Sequence, residues 1–277
     1  MPFLGGLEVA MEDNRHTVLN HSDDSHPAGL QNFKRILEDR KFIRSLENTS
    51  IFVGSSVFIT LSLGFFLASV IRSLNSSLRP IFLFLLLVPS LALPGTLATL
   101  FYLFFHGKSG ALNQFLIIPR GFEPINWMMD TNWILPCLVT QAVWRWTGLI
   151  TLLLYCGMRT IPKWQFDVAR IDGASRWAVI RTILYPGVRH LLLFGGIFLG
   201  VDGVASFSGA YNLLGGSGGV LDAGLLFVTY AYQVAFPGGG GRFDLPLASA
   251  MCVTVALLTT FLGLIVLRMR KPHQTSL

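Results

Sequence analysis

Apolar residues gather into five long runs, at about 50–71, 80–105, 133–157, 190–207 and 246–267, separated by polar or glycine-rich stretches. Each approaches the ~20 residues an α-helix needs to cross a hydrocarbon layer of about 30 Å. In lipid the backbone must satisfy its own hydrogen bonds, so runs of this length predict helices. Pro89 and Pro94 lie inside the second run and predict a kink, because proline has no N–H to donate and crowds the preceding turn. Arg145 interrupts the third run and Asp202 the fourth. The pattern predicts an all-α, polytopic membrane protein with about five transmembrane helices.

Four segments follow from the pattern. Residues 1–28 read as a polar tail. Residues 29–49 read as a short amphipathic helix with Phe33, Ile36, Leu37 and Ile43 on related faces. Residues 50–268 form the membrane domain, and 269–277 a basic tail. Within the domain, 208–245 is rich in glycine, with clusters at 215–219 and 238–241. These clusters read as external connectors, with a phosphate cradle of bare backbone N–H groups as the alternative. Between them, Leu221–Phe236 reads as a short helix that enters the membrane without crossing it.

Composition narrows the class. Of 277 residues, 52% are hydrophobic and 13% charged, against about 25% charged in soluble domains. That excludes a disordered chain, a disulfide scaffold and an ordinary soluble enzyme. The net charge of +6 reflects loop lysines and arginines rather than a nucleic-acid partner. Six of them lie in 158–189 (Arg159, Lys163, Arg170, Arg176, Arg181, Arg189), three in the tail and two, Arg72 and Arg79, in the 72–79 turn. Alternation across five spans therefore places 72–79, 158–189 and the C-terminus in the cytoplasm. Residues 1–49 then fall outside, although Lys34, Arg35, Arg40, Lys41 and Arg44 crowd the first span. Either this segment is translocated despite its charge, or a span precedes it.

Other chemistry is sparse. Cys137, Cys156 and Cys252 lie in apolar runs and read as packing residues. No cationic start with an apolar core suggests a cleavable signal peptide. Gly107-Lys108-Ser109 matches the end of a phosphate-binding loop, but Tyr102 stands where the earlier glycine is required. No nucleophile–base set, carboxylate pair or His/Cys cluster suggests a catalytic or metal site. Trp144, Trp146, Phe207 and Tyr211 are candidates for stacking on a ligand ring in a central cavity, or for interfacial anchoring. Charges inside a bilayer are costly, so Arg145 and Asp202 are candidates for a functional role or for a structural pair.

The 158–189 loop is more organised than a connector. Pro162 signals a helix start. Trp164, Val168 and Ile171 recur at i, i+4 and i+7 as an apolar stripe. Asp172-Gly173 interrupts it as a turn would, and Trp177, Ile180 and Leu184 form a second stripe that Pro186 is expected to end. Two amphipathic helices around a glycine, carried on a membrane domain, need a protein partner to cover their apolar faces.

The stretch Ile161-Pro162-Lys163-Trp164-Gln165-Phe166-Asp167-Val168-Ala169-Arg170-Ile171-Asp172-Gly173-Ala174-Ser175-Arg176-Trp177 resembles the "EAA" loop of binding-protein-dependent ABC importer permeases, the maltose-type sugar permeases above all. The family pattern is met at Ala169, Asp172, Gly173, Ala174, Ile183 and Pro186. It departs at Asp167 (Glu in the family), Val168 (Ala) and Ile180 (usually Phe), keeping charge or apolarity. Gly29-Leu30-Gln31-Asn32-Phe33, Glu47-Asn48-Thr49, Gly110-Ala111-Leu112-Asn113, Ile125-Asn126-Trp127 and Val143-Trp144-Arg145 match further family landmarks in order. The family usually carries a spanning helix before the first of these, where polar residues stand here.

The resemblance implies a transport subunit without chemistry of its own. The loop would be a coupling helix seated on a cytoplasmic ATPase, with Asp167, Ala169, Asp172, Gly173, Ala174, Ile183 and Pro186 as docking residues. Partners would be a homologous second permease, a dimer of ATP-binding subunits and an extracytoplasmic solute-binding protein. ATP and magnesium would belong to the ATPase, with no cofactor on this chain. The cargo would be a carbohydrate or related solute. Rival readings are another cargo (a phosphorylated polyol, polyamine or oxyanion), a passive channel, or an intramembrane enzyme built on Arg145 and Asp202.

Overall fold

A computed structural model describes residues 2–13, 26–27, 29–236 and 244–268, and most of these are helical. Helix α1 (Pro2–Ala10) leads to a two-residue antiparallel ladder, β1 (Glu12–Asp13) with β2 (His26–Pro27). Then come α2 (Gln31–Glu38), α3 (Arg40–Ser73), α4 (Arg79–Leu91) and α5 (Pro94–Phe104). A π-helical turn at Asn113–Ile117 lies before α6 (Thr131–Arg159). The charged loop forms α7 (Lys163–Ile171) and α8 (Arg176–Val179) and runs into α9 (Tyr185–Val204). Two short helices, α10 (Ser208–Leu213) and α11 (Phe227–Ala235), precede α12 (Leu245–Arg268). The basic tail at 269–277 and the second glycine cluster lie outside the described residues.

All five apolar runs are helical. Among the described residues, α3, α6 and the continuous stretch Arg176–Val204 are each long and apolar enough to cross a membrane. The second run is broken as its prolines demand: α4 and α5 meet at 99°, with Pro94 in the first turn of α5. The fifth run forms α12, apolar along Leu245–Phe261.

Three boundaries differ from expectation. The amphipathic segment ends at Glu38, because the Asp39 carboxylate accepts hydrogen bonds from the Lys41 and Phe42 N–H groups (2.9 and 3.4 Å) and starts a new helix. That helix, α3, runs through residues 40–49 into the first span without a break and is 34 residues long. The stretch read as the start of a polar tail instead carries α1, whose sequence PFLGGLEVA is apolar. Ala10 is fully buried beside Ile36 and Met251. The Asn32 amide ties this segment down by donating to the Ala10 and Glu12 carbonyls, both at 3.0 Å.

The third boundary is at Pro186, which does not end the second amphipathic stripe. Tyr185 N–H donates to the Ile180 carbonyl, widening the helix to a π-turn over Ile180–Leu184, and Pro186 lies in the first turn of α9. A π-turn is one way for a helix to absorb a residue that cannot bond four back.

Among the described residues three clusters of buried side chains form around α3, one of them joining Phe52 to Phe101 of α5, Leu138 of α6 and Leu213 of α10. On one side α3 lies along α6 and α9, and α4 lies against α6. Gly148 of α6 touches α4 so closely that a Cβ there would strike the Leu86 carbonyl, the close backbone approach small residues permit between membrane helices. On the other side α12 packs on α1, α2 and α11.

The start of α3 is pinned to the segment before α11. Asn48 donates to the carbonyls of Asp222 (2.9 Å) and Leu225 (3.2 Å), and the Thr49 hydroxyl accepts from Phe227 N–H at 2.8 Å. Arg35 pairs with Asp244 at 2.8 Å and Lys41 with Asp222 at 3.1 Å. Two of the cations that crowd the first span are thus spent in ion pairs at this end. Ile71, near the other end of α3, shares a cluster with Met158 and Leu184, beside the 158–189 loop. Residues 29–49 and the charged loop therefore sit at opposite ends of the bundle.

Candidate functional site

The charged loop projects from the bundle as a built element. Helix α7 ends in a tight left-handed turn. Gly173 adopts φ +68°, its N–H donates to Arg170 (3.2 Å), and Ala174 N–H reaches back to Ala169 (2.9 Å). This is the Schellman closure, and its αL position favours glycine because a Cβ there is strained. Ser175 then caps α8, its hydroxyl accepting from Ala178 N–H at 3.2 Å.

The stripe predicted on α7 stands in solvent. Trp164, Val168 and Ile171 are 63%, 48% and 85% exposed. The opposite side of α7 is the anchor. Phe166 packs on the cluster of Leu154, Met158 and Val188, and the Arg72 guanidinium lies over its ring, 3.7 Å from the centroid. The second stripe divides: Trp177 is exposed, Ile180 half-buried, and Leu184 lies in the core. It is a foot that fixes the loop to the bundle, with one ring left free.

Of the other loop residues singled out from the sequence, Asp167, Asp172, Gly173 and Ala174 are exposed, Ala169 and Ile183 half-buried, and Pro186 exposed at the root of α9.

Arg145 and Asp202 share the wall of a partly open cavity of about 250 Å³ lined from α3, α5, α6, α9 and α10. Ser56, Thr60 and Gln141 supply further polar groups, and Trp146 and Phe207 aromatic ones. The direct ion pair expected as the structural alternative is not formed. Asp202 Oδ2 accepts instead from Trp146 Nε1 at 2.7 Å. The Arg145 guanidinium carbon lies over the Trp146 ring, 4.7 Å from its centroid, and its Nε has no hydrogen-bond partner among the described residues. One indole thus contacts both residues, Asp202 at its N–H edge and Arg145 on its face. Trp144, also a stacking candidate, points elsewhere, edge-on to Phe101 with centroids 5.5 Å apart.

Sequence reasoning missed Arg72 and Gln141. Arg72 reads as an ordinary flanking charge, and only the fold brings it over Phe166. Gln141 sits one helical turn from Arg145, so the i, i+4 spacing was the available signal.

A loop docked on a kinked bundle with a polar cavity narrows the class, and the whole-chain comparison decides it. The family model described as "binding-protein-dependent transport system inner membrane component" matches residues 60–272. The chain belongs to this family. It is a multi-pass inner-membrane component of a transport system. Among similar proteins, the lactose transport system permease protein LacF of Rhizobium radiobacter is 25% identical over 235 residues, covering 85% of this chain and 77% of LacF. The trehalose/maltose transport system permease protein MalF of Thermococcus litoralis is 28% identical over 232 residues, covering 84% and 77%. Among solved structures, a bacterial ABC transporter that imports the acidic polysaccharide alginate has the same fold. Its TM-score is 0.79 at 19% identity, over 97% of this chain and 90% of that one.

Proposed function

We propose that the chain is the permease subunit of an ATP-binding-cassette importer and forms half of the translocation path for a carbohydrate. A separate ATPase subunit drives it through residues 161–186. The observation that carries this reading is the α7 stripe, three large apolar side chains held in solvent on a capped helix. Each stabilises a complex by about 1.5–3 kcal/mol when fully buried, which makes the stripe a docking face. Asp167 and Asp172 beside it would meet basic or polar groups of the ATPase.

The mechanism follows from coupling rather than from chemistry on the solute. Closure of the ATPase dimer around ATP and magnesium moves α7, and α7 moves the bundle through Phe166, Arg72 and the buried foot at Leu184. Differential affinity of the ATPase for two arrangements of the bundle then biases which side the cavity opens to. The loop and the C-terminus face the cytoplasm. The opposite end, with residues 29–49 and 215–227, faces a solute-binding protein. Supporting this partner, an alginate transporter of the same fold is known in complex with a periplasmic protein carrying an alginate pentasaccharide. The sugar permeases among the relatives support the cargo class.

Purification from native membranes in mild detergent, with mass spectrometry of what stays bound, tests the reading. Recovery of an ATP-binding subunit, a second permease and a solute-binding protein is expected. A chain that emerges alone, monodisperse and folded, refutes it.

A further inference from the structure

The segment that joins α5 to α6 carries its polar side chain inside and its apolar ones outside. Asn113 is fully buried at its centre. The Asn113 amide donates to the carbonyls of Gly107 (2.6 Å) and Ile125 (2.9 Å). Its oxygen accepts from Ile125 N–H (3.2 Å) and Trp127 Nε1 (3.1 Å). Leu112 and Ile117 pack inward on the cluster that holds Trp127. The outer side then carries Phe115 and Phe122, 80% and 66% exposed, with Leu116, Ile118 and Pro119 exposed between them. An apolar face of this extent on a protein surface marks a contact with something other than water.

Depth identifies what covers it. Helix α6 is long enough to cross a membrane, and its C-terminal end leads into the charged loop. The segment before α6 therefore lies at the opposite membrane boundary. There Trp127 meets Trp133 of α6 edge-on, with ring centroids 5.0 Å apart. Indoles gather at membrane–water interfaces, and the bond from Trp127 to Asn113 holds the apolar face level with this pair. Helix α5, which leads into the segment, is itself exposed at Leu100, Leu103 and Phe104. Charge points the same way. From residue 48 to residue 122 the chain has no carboxylate, and Glu123 comes just past the face. Lys108 and Arg120 are exposed and form no ion pair among the described residues. One arm of Arg120 donates to the Leu116 carbonyl at 2.7 Å, and the guanidinium keeps further donors free. Cations flanking an apolar face complement the phosphates of lipid headgroups.

We propose that residues 113–122 are a lipid anchor, with Phe115, Leu116, Ile118 and Phe122 seated where headgroups meet acyl chains, in the leaflet opposite the charged loop. The occupant is phospholipid rather than a second protein. A segment held in this way ties the ends of α5 and α6 to that leaflet. The anchor depends neither on the cargo nor on the ATPase partner.

The test is a depth measurement on the full chain, assembled with its partner subunits in phospholipid nanodiscs. Phe115→Cys and Phe122→Cys each carry a nitroxide, in a background of Cys137→Ala, Cys156→Ala and Cys252→Ala. Both labelled positions are exposed, so the label leaves the packing alone. Relaxation by oxygen, which concentrates in lipid, is compared with relaxation by a water-soluble nickel chelate. Lipids labelled on the headgroup or on the acyl chain calibrate depth. At both positions the oxygen-to-nickel ratio is expected to rise several-fold above that of free label in buffer. The depth should be about 5–10 Å, the range of amphipathic segments lying in the interface. Nickel access equal to that of free label at either position overturns the anchor. Shielding from both reagents also overturns it, because a protein then covers the face. Neither failure touches ATP-driven transport, so that reading stands or falls separately.

Discussion

The indole N–H of Trp146 donates to the Asp202 carboxylate at 2.7 Å, while the Arg145 guanidinium lies on the face of that same ring. The two residues thus share one aromatic partner and form no salt bridge with each other. Both remain on the cavity wall.

Trp146→Phe should leave Asp202 without its donor. A hydrogen bond to a charged group contributes about 1.5–3 kcal/mol, so the unfolding free energy of the chain in nanodiscs should fall by an amount in that range, read as a lower thermal midpoint. Exchanging the two charges, Arg145→Asp with Asp202→Arg, should not rescue either single change. Full rescue would mean that the charges pair directly in the working protein.

Arg72 is expected to be a positioning residue for coupling, because its guanidinium covers the inward side of α7 at Phe166. Arg72→Met should insert and bind the ATPase subunit normally, yet transport fewer solute molecules per ATP hydrolysed. Arg72→Lys should recover much of the ratio, since an ammonium also sits favourably on a ring face. An unchanged ratio in Arg72→Met would show that the contact is only packing.

Gly148→Ala should destabilise the bundle, because the added Cβ would strike the Leu86 carbonyl of α4. Overpacking of this kind costs about 1–3 kcal/mol. A lower thermal midpoint, with a larger aggregated fraction on size exclusion, is the expected result. Wild-type behaviour would contradict the close approach of α4 and α6.

How far these features could be read in advance depended on the range of the forces involved. Hydropathy is local, and it located the five runs, the break at Pro89–Pro94 and the stripe on α7. The turn at Gly173 was legible for the same reason. The break at Asp39 and the fusion of residues 40–49 with the first span were not, although helix itself was expected there. Nor could charge counting show that two of the five cations before the first span, Arg35 and Lys41, are taken up by Asp244 and Asp222 far along the chain. Pro186 misled because a π-turn just before it absorbs the missing N–H. The contact of both Arg145 and Asp202 with Trp146 is tertiary: no spacing shows that the indole N–H reaches Asp202, 56 residues on.

The most direct measurement is ATP-driven uptake by the assembled transporter in proteoliposomes, using the saccharide carried by its co-purified solute-binding protein. Ile171→Asp is the companion variant, since Ile171 is 85% exposed and its replacement leaves the fold undisturbed. Forcing an unpaired carboxylate into an apolar docking face costs several kcal/mol, and 1.4 kcal/mol already means tenfold. The account predicts that uptake requires ATP and falls at least about tenfold in Ile171→Asp, with insertion unchanged. Uptake that proceeds without ATP, or at the wild-type rate in Ile171→Asp, would contradict it.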